Sequence, residues 1–317
     1  MPCFFPRSAT RWRGAKGGRF KIGPPGSGSA NPDGSPRVVP SVTHEALVLP
    51  CGSCVWCRLD TARQRAIRAT HELKMHDTGC FLTLTYSPEK LPMKDGVSVF
   101  VKQHLVDFVK RLRSRLEYDF DGLQIKTMGC AEYGEQFGRP HFHLLVFGFD
   151  FPDKYFWQMS GSDWDPEKRN PIYRSNFLEE LWTLGHSSIG ALTEQSAHYV
   201  ARYITKKISG TRSSLHYGPR SPETLMCSSK DLGLSFFLKY QKEILANDSV
   251  FFRNRSVPIP RYYLRHLKAE SPLLYSWLLA ERGAKFKAVD IERSSARLAV
   301  KHQCFKTRIS KLKGSLK

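Results

Sequence analysis

Gln124-Ile125-Lys126-Thr127-Met128-Gly129-Cys130-Ala131-Glu132, then Tyr133-Gly134-Glu135-Gln136-Phe137-Gly138-Arg139-Pro140, then His141-Phe142-His143-Leu144-Leu145-Val146-Phe147-Gly148-Phe149, reads as two strands and the connection between them. The flanking stretches carry apolar, aromatic and β-branched residues, and the middle one is rich in turn formers. Residues two apart in a strand point the same way, so His141 and His143 face one side while Phe142 packs on the other. If Glu132 stands opposite His141 across this hairpin, its carboxylate joins the two imidazoles.

Working outward, Phe81-Leu82-Thr83-Leu84-Thr85-Tyr86 alternates like a half-buried strand and stops at Ser87-Pro88. Leu105, Phe108, Val109, Leu112 and Leu116 are spaced as the buried stripe of a helix, with Lys110, Arg111, Arg113 and Arg115 turned outward. Asp60 can cap another helix that runs through about His76, with Leu59, Ala62, Ala66, Thr70 and Leu73 on one side. Residues 151–185 read as an aromatic-rich insertion with one short helix near Phe177–Trp182. A strand near 187–192 leads into a helix from about Glu194 to Ile208. The order β-α-β-β-(insert)-β-α predicts an α+β fold, an antiparallel sheet with helices on one face. Residues 1–45, rich in Gly, Pro, Ser and Arg, are expected to form a flexible basic arm. A main domain over 46–212 follows, and 213–317 is expected to be a basic, mostly helical C-terminal region.

The 317 residues carry a formal net charge of +20, which speaks about partners rather than fold. From Phe251 to Lys317, sixteen Lys and Arg face four acids. Nucleic acid is the favoured partner, since each neutralised phosphate releases a counterion. An anionic membrane is the lesser alternative, because no helix combines a lipid-type apolar face with Trp anchors. A hydrophobic fraction of 41% supports a packed core, and no apolar run approaches the ~20 residues of a spanning helix. Met1-Pro2-Cys3-Phe4-Phe5-Pro6-Arg7 lacks a signal-peptide core, so the chain is expected to stay in the compartment where it is made.

Three constellations carry chemistry. The first is Glu132, His141 and His143, whose two imidazoles and one carboxylate suit a divalent ion such as Mg²⁺ or Mn²⁺. A His-x-His pair alone is more often structural; the carboxylate of matching parity puts metal binding on an equal footing. The second is Tyr199-Val200-Ala201-Arg202-Tyr203-Ile204-Thr205-Lys206-Lys207. In a helix Ala197, Val200, Ala201, Ile204 and Ile208 form one buried stripe, and Tyr199, Tyr203, Lys206 and Lys207 fall elsewhere. Phenols beside cations or a metal gain nucleophilic character, although surface tyrosines packed on a loop would show the same spacing. The third is Cys51-x-x-Cys54-x-x-Cys57, three thiols that suit a structural Zn²⁺ with Cys3 or His44 as fourth ligand. Reduced thiols in a core are the alternative, and an iron–sulfur cluster is a weaker one. The other cysteines are scattered, so no disulfide framework is expected, which fits a reducing cytoplasm.

Thr83-Leu84-Thr85-Tyr86, Gly138-Arg139-Pro140-His141-Phe142-His143 and Tyr199-x-x-x-Tyr203 with Lys206-Lys207 follow the order of the HUH endonucleases, which the chain resembles. More closely, it is similar to the replication initiators of gokushovirus-type microviruses. That likeness rests also on Pro50-Cys51-Gly52-x-Cys54-x-x-Cys57-Arg58 and Glu132-Tyr133-Gly134-Glu135. It covers about residues 50 to 210. The resemblance implies an HUH, RRM-like palm as an endonuclease domain over 46–212, and His141 and His143 as ligands of the catalytic metal with Glu132 as the third. It implies Tyr199 and Tyr203 as nucleophiles, with Lys206 or Lys207 assisting at the phosphate. Single-stranded or origin DNA would be nicked, joined through a 5′-phosphotyrosine and later rejoined in rolling-circle replication. The setting implied is the cytoplasm of a bacterial host, with host helicase and polymerase following the nick. Two rivals stand beside this reading: a non-catalytic zinc-containing DNA- or RNA-binding protein, and a nuclease that activates water at a metal.

Overall fold

The structure, a computed structural model, describes residues 3–12, 21–32, 41, 43–134, 137–160, 170–206, 215, 217–285 and 294–310. It divides into two compact units, one of Met1–Thr61 with Leu273–Lys317 and the other of Ala62–Pro272. The chain opens with β1 (Arg7–Trp12), β2 (Lys21–Ile22), β3 (His44–Leu49), α1 (Val55–Leu73) and β4 (Gly79–Tyr86). Then come β5 (Met93–Lys94), β6 (Val97–Ser98), α2 (Lys102–Asp119), β7 (Lys126–Tyr133) and β8 (Pro140–Phe147). β9 (Tyr155–Ser160), β10 (Asn170–Arg174), α3 (Asn176–Leu181), β11 (Gly185–Ala191) and α4 (Glu194–Lys206) follow. The last part holds β12 (Thr224–Ser228), α5 (Leu234–Lys239), α6 (Gln241–Ala246), β13 (Ser249–Phe252) and β14 (Arg255–Pro258). It ends in α7 (Arg261–Glu270), α8 (Pro272–Lys285) and α9 (Ser295–Ser310).

In the larger unit one antiparallel sheet runs in the order β12-β7-β8-β4-β11-β10-β9. The class is α+β, as the element order implies. On one face Leu82, Leu84 and Tyr86 of β4 meet Phe142, Leu144 and Val146 of β8, and α2 closes over them with Leu105, Phe108, Leu112 and Leu116. A fully buried Leu or Phe contributes roughly 1.5–3 kcal/mol, so this layer is the main apolar reserve of the unit. Gly129 lets α2 approach β7: a Cβ there would lie 2.8 Å from Leu144 Cδ1 and 3.3 Å from Leu105 Cδ2. Leu178, Leu181 and Trp182 extend the layer from α3, and Trp182 Nε1–H donates to the Thr85 carbonyl at 2.9 Å. Beyond the one helical face expected, α4 lies against β7, β8 and β12 on the other face.

Four sequence expectations differ in detail. α1 begins at Val55 rather than at an Asp60 cap, so Asp60 lies inside the helix. Cys57 in the added first turn is buried, an anchor that outweighs the capping preference of Asp60. The insertion over 151–185 contributes β9 and β10 besides its helix, and β9 is exposed at the sheet edge, so it lacks the inside–outside alternation that marks a strand. The described part of the expected arm holds β1 and β2, paired with each other, and β1 also pairs with β3 from Arg7 opposite Leu49 to Trp12 opposite His44. Finally, β12 lies beyond residue 212 yet joins the sheet, with Leu225 opposite Cys130.

Candidate active site

The hairpin sets the geometry. β7 and β8 pair so that Glu132 stands opposite His141 and Cys130 opposite His143. On the other side of β8, β4 places Thr83 opposite His143. Glu132, His141 and His143 therefore share the sheet face opposite Phe142. Their ligand atoms lie within 4.8 Å of one another. Glu132 Oε1 is 2.5 Å from His141 Nε2 and 3.2 Å from His143 Nε2. Glu132 and His143 are buried, while His141 is partly open.

Each ring is aimed by its other nitrogen. His141 Nδ1–H donates to the Arg139 carbonyl at 3.1 Å, and His143 Nδ1 shares a 3.1 Å hydrogen bond with Thr83 Oγ1. Nε2 of both rings is thereby turned to the carboxylate, as in a metal site whose ligands are oriented from behind. Arg139 is itself held by its guanidinium donating to the Tyr86 carbonyl at 2.5 Å. Burial acts to raise the Glu132 carboxyl, but hydrogen bonds from His141 and His143 and their charge outweigh it and hold it down at about 2. The donor set is two imidazole nitrogens and an ionised carboxylate converging on one point. That set fits a divalent metal cation.

α4 supplies the nucleophile candidate. Ala197, Val200 and Ala201 are buried, the described part of the predicted stripe. Tyr199 is 37% exposed, and its hydroxyl donates to Glu132 Oε1 at 3.4 Å. Its ring meets His143 edge-on at 5.2 Å and Phe81 at 6.2 Å. Tyr203 sits one turn further along α4 and Lys206 ends it, but their side chains, and all of Lys207, lie outside the described residues. Phe81 stacks on His143 with ring centroids 5.3 Å apart. Phe81 and Thr83 join the site from β4, and their two-residue spacing carries the signal: they share the face of the histidines. A cavity of about 530 Å³ opens beside them, lined in part by Asn170, Ser188, Gln195 and Tyr199. A second groove of about 1010 Å³ is lined by Lys102, Lys110, Arg113, Lys126 and Lys230, and shares no lining residue with the first. The sulfurs of Cys3, Cys51, Cys54 and Cys57 gather in the smaller unit. No helix among the described residues is long and apolar enough to cross a membrane.

Against known proteins, residues 79–208 match the family model described as replication-associated protein ORF2/G2P. That stretch runs from β4 into α4 and carries every residue of the site. The chain is 33% identical over 259 residues to replication-associated protein VP4 of Bdellovibrio phage phiMH2K, covering 80% of this chain and 77% of that one. It is 32% identical to replication-associated protein ORF2 of Spiroplasma virus 4, over 70% of this chain and 68% of that one. With replication-associated protein ORF4 of Chlamydia phage 1 it shares 31% identity over 70% of its own length and 55% of the relative's. No solved structure matches.

Proposed function

The chain belongs to the family of replication-associated proteins of small phages, and from that premise we propose that it is a metal-dependent DNA endonuclease that attacks one strand with a tyrosine. One observation carries the reading: the Tyr199 hydroxyl reaches the carboxylate on which the Nε2 atoms of His141 and His143 also converge. A nucleophile and a cation-ready donor set in one place support phosphoryl transfer to the protein rather than binding alone.

Glu132, His141 and His143 would hold the divalent cation, which when bound supplies a Lewis acid to a phosphate oxygen. The chain's own part is positioning and attack. Tyr199 stands in reach of a phosphate seated at that point, and the proton it gives up on attack matches the one that the departing 3′-oxygen takes up. Its oxygen bonds to phosphorus, the bond to the 3′-oxygen breaks, and the departing 3′-oxygen takes up a proton. The products are a 5′-phosphotyrosine and a free 3′-hydroxyl that can prime synthesis. Because the phosphoester is kept, the reverse reaction joins strands without ATP. Tyr203, one turn along the same helix, would serve a second cleavage while Tyr199 still carries the first end, and Lys206 and Lys207 would counter phosphate charge. The basic groove beside α2 and the net charge of +20 favour a nucleic-acid backbone as partner. Action in the host cytoplasm, followed by host helicase and polymerase, belongs to the same proposal.

Incubation with labelled single-stranded DNA and Mn²⁺ tests it. The expected outcome is label shifted into the protein band. Nicking without any adduct would favour a water-activating nuclease, and binding without nicking a non-catalytic module.

A further inference from the structure

In the smaller unit, four sulfurs converge: those of Cys3, Cys51, Cys54 and Cys57 lie within 4.8 Å of one another. Cys3 precedes β1, Cys51 follows β3, and Cys54 and Cys57 lie at the start of α1. Cys3 Sγ and Cys54 Sγ are 3.9 Å apart, and Cys51 Sγ and Cys57 Sγ 4.0 Å. A disulfide needs about 2.05 Å, half that separation. Four sulfurs around a tetrahedral zinc with bonds of ~2.3 Å stand about 3.8 Å apart. An iron–sulfur cluster binds its thiolates through separate iron atoms, which spreads the sulfurs beyond the spacing seen here.

The surroundings suit thiolate ligands. Backbone N–H of Cys51 donates to Cys3 Sγ and that of Cys54 to Cys51 Sγ, both at 3.3 Å. Such donors offset the negative charge of a tetrathiolate. Phe4, only 2% exposed, adjoins Cys3 and meets Phe305 of α9 at 5.5 Å. Trp56, between Cys54 and Cys57, meets the same ring edge-on at 5.9 Å. His44, the other candidate for the fourth ligand, is not in that cluster, where Cys3 stands instead.

We propose that Cys3, Cys51, Cys54 and Cys57 hold one Zn²⁺ in a closed structural site. Four protein ligands leave no open position for water or substrate, which separates it from a catalytic zinc. The ion ties together three stretches, namely the lead into β1, the β3–α1 connection and the first turn of α1. It thereby fixes the small sheet β2-β1-β3 to the first turn of α1. Loading deprotonates the thiols, so the binding free energy adds to folding and the released protons make it pH-dependent.

The test uses the full chain purified without chelator. Elemental analysis should give about one zinc per chain with iron at background, and Co²⁺ exchange should give the intense visible absorption of tetrahedral thiolate coordination. Thiol labelling with peptide mapping reads the ligands directly. Exposed Cys304 should react at once, whereas Cys3, Cys51, Cys54 and Cys57 should react only after a strong chelator is added. Cys54→Ser should lose the zinc, and Cys304→Ser should keep it. If Cys54→Ser does not fold, wild-type labelling still decides. Wild-type protein without zinc, an iron content matching the chain, or four thiols labelled as fast as Cys304 would overturn the site. None of these results bears on the Glu132 centre, which is read through DNA adducts.

Discussion

Replacing Tyr199 by Phe removes one oxygen and leaves the rest of its packing in place. The ring keeps its edge contacts with His143 at 5.2 Å and Phe81 at 6.2 Å. What is lost is a hydrogen bond to Glu132 at 3.4 Å, long for its kind. Net contributions of such bonds are about 0.5–1.5 kcal/mol, and this one belongs at the low end. In a domain of this size 1 kcal/mol moves the melting temperature by roughly 2–4 °C, so Tyr199→Phe should melt within about 3 °C of the parent. Activity should respond far more. With Tyr203, one turn along α4, as the remaining phenol, misplacement of the attacking oxygen by about 1 Å would cost on the order of 100-fold. Single-turnover adduct formation on a short single-stranded oligonucleotide in Mn²⁺ should therefore slow by about that factor. Tyr199→Phe/Tyr203→Phe should form no adduct while still binding DNA. An unchanged adduct rate in Tyr199→Phe, or an adduct in the double variant, would refute the reasoning and move the nucleophile elsewhere.

His141→Ala/His143→Ala should abolish nicking while DNA affinity stays within roughly threefold, because phosphate binding is spread over many cations; filter binding beside a nicking assay checks both halves. In metal-free protein, Glu132 is held at about 2 against an ordinary 4.5. A depressed carboxyl adds stability that is complete above pH 4.5 and is lost as pH falls towards 2, here about 3 kcal/mol. Glu132→Gln should lack that acid limb in denaturant melts, and superimposable limbs in the two proteins would count against the hydrogen-bonded carboxylate. Changing Arg297, Lys301, Lys306 and Arg308 of α9 to Gln should lessen the slope of log affinity against log salt on single-stranded DNA by up to about 3, with low-salt cleavage intact. An unchanged slope would exclude α9 from the DNA-binding surface.

The central hairpin was legible because one alternation carries two messages. Phe142, Leu144 and Val146 mark the core face of β8, and His141 and His143 fall between them. Pairing Glu132 with His141 then needs only a connection that ends at Pro140, and the observed register has that pairing. α2 was equally plain, since its five predicted apolar positions are its five buried ones. The Tyr199 helix was visible through the stripe of Ala197, Val200 and Ala201, but its docking was not. Nothing in local spacing says that α4 crosses the metal-ready face rather than the opposite one. β9 escaped notice for a different reason: Tyr155, Phe156, Trp157 and Met159 are all exposed, so no period-2 contrast exists to detect. β12 escaped because its partner, β7, lies about a hundred residues earlier, and such pairing leaves no local mark.

This coupling of core and site in one strand has a physical consequence. A register slip of one residue in β8 would turn His141 and His143 into the apolar layer and expose Phe142, Leu144 and Val146 to the cleft. Each of those side chains is fully buried, and exposing one costs roughly 1.5–3 kcal/mol. The core therefore enforces the placement of His141 and His143 far more strongly than the Glu132–His141 contact could by itself. Glu132, His141, His143 and Thr83 all come from three adjacent strands of the sheet, β7, β8 and β4. Tyr199 is delivered by a helix, and its hydroxyl reaches Glu132 Oε1 at 3.4 Å. Under the proposed mechanism, a donor set fixed by the sheet and two phenols carried on one helix would suit a reaction in which those phenols take turns at a single point.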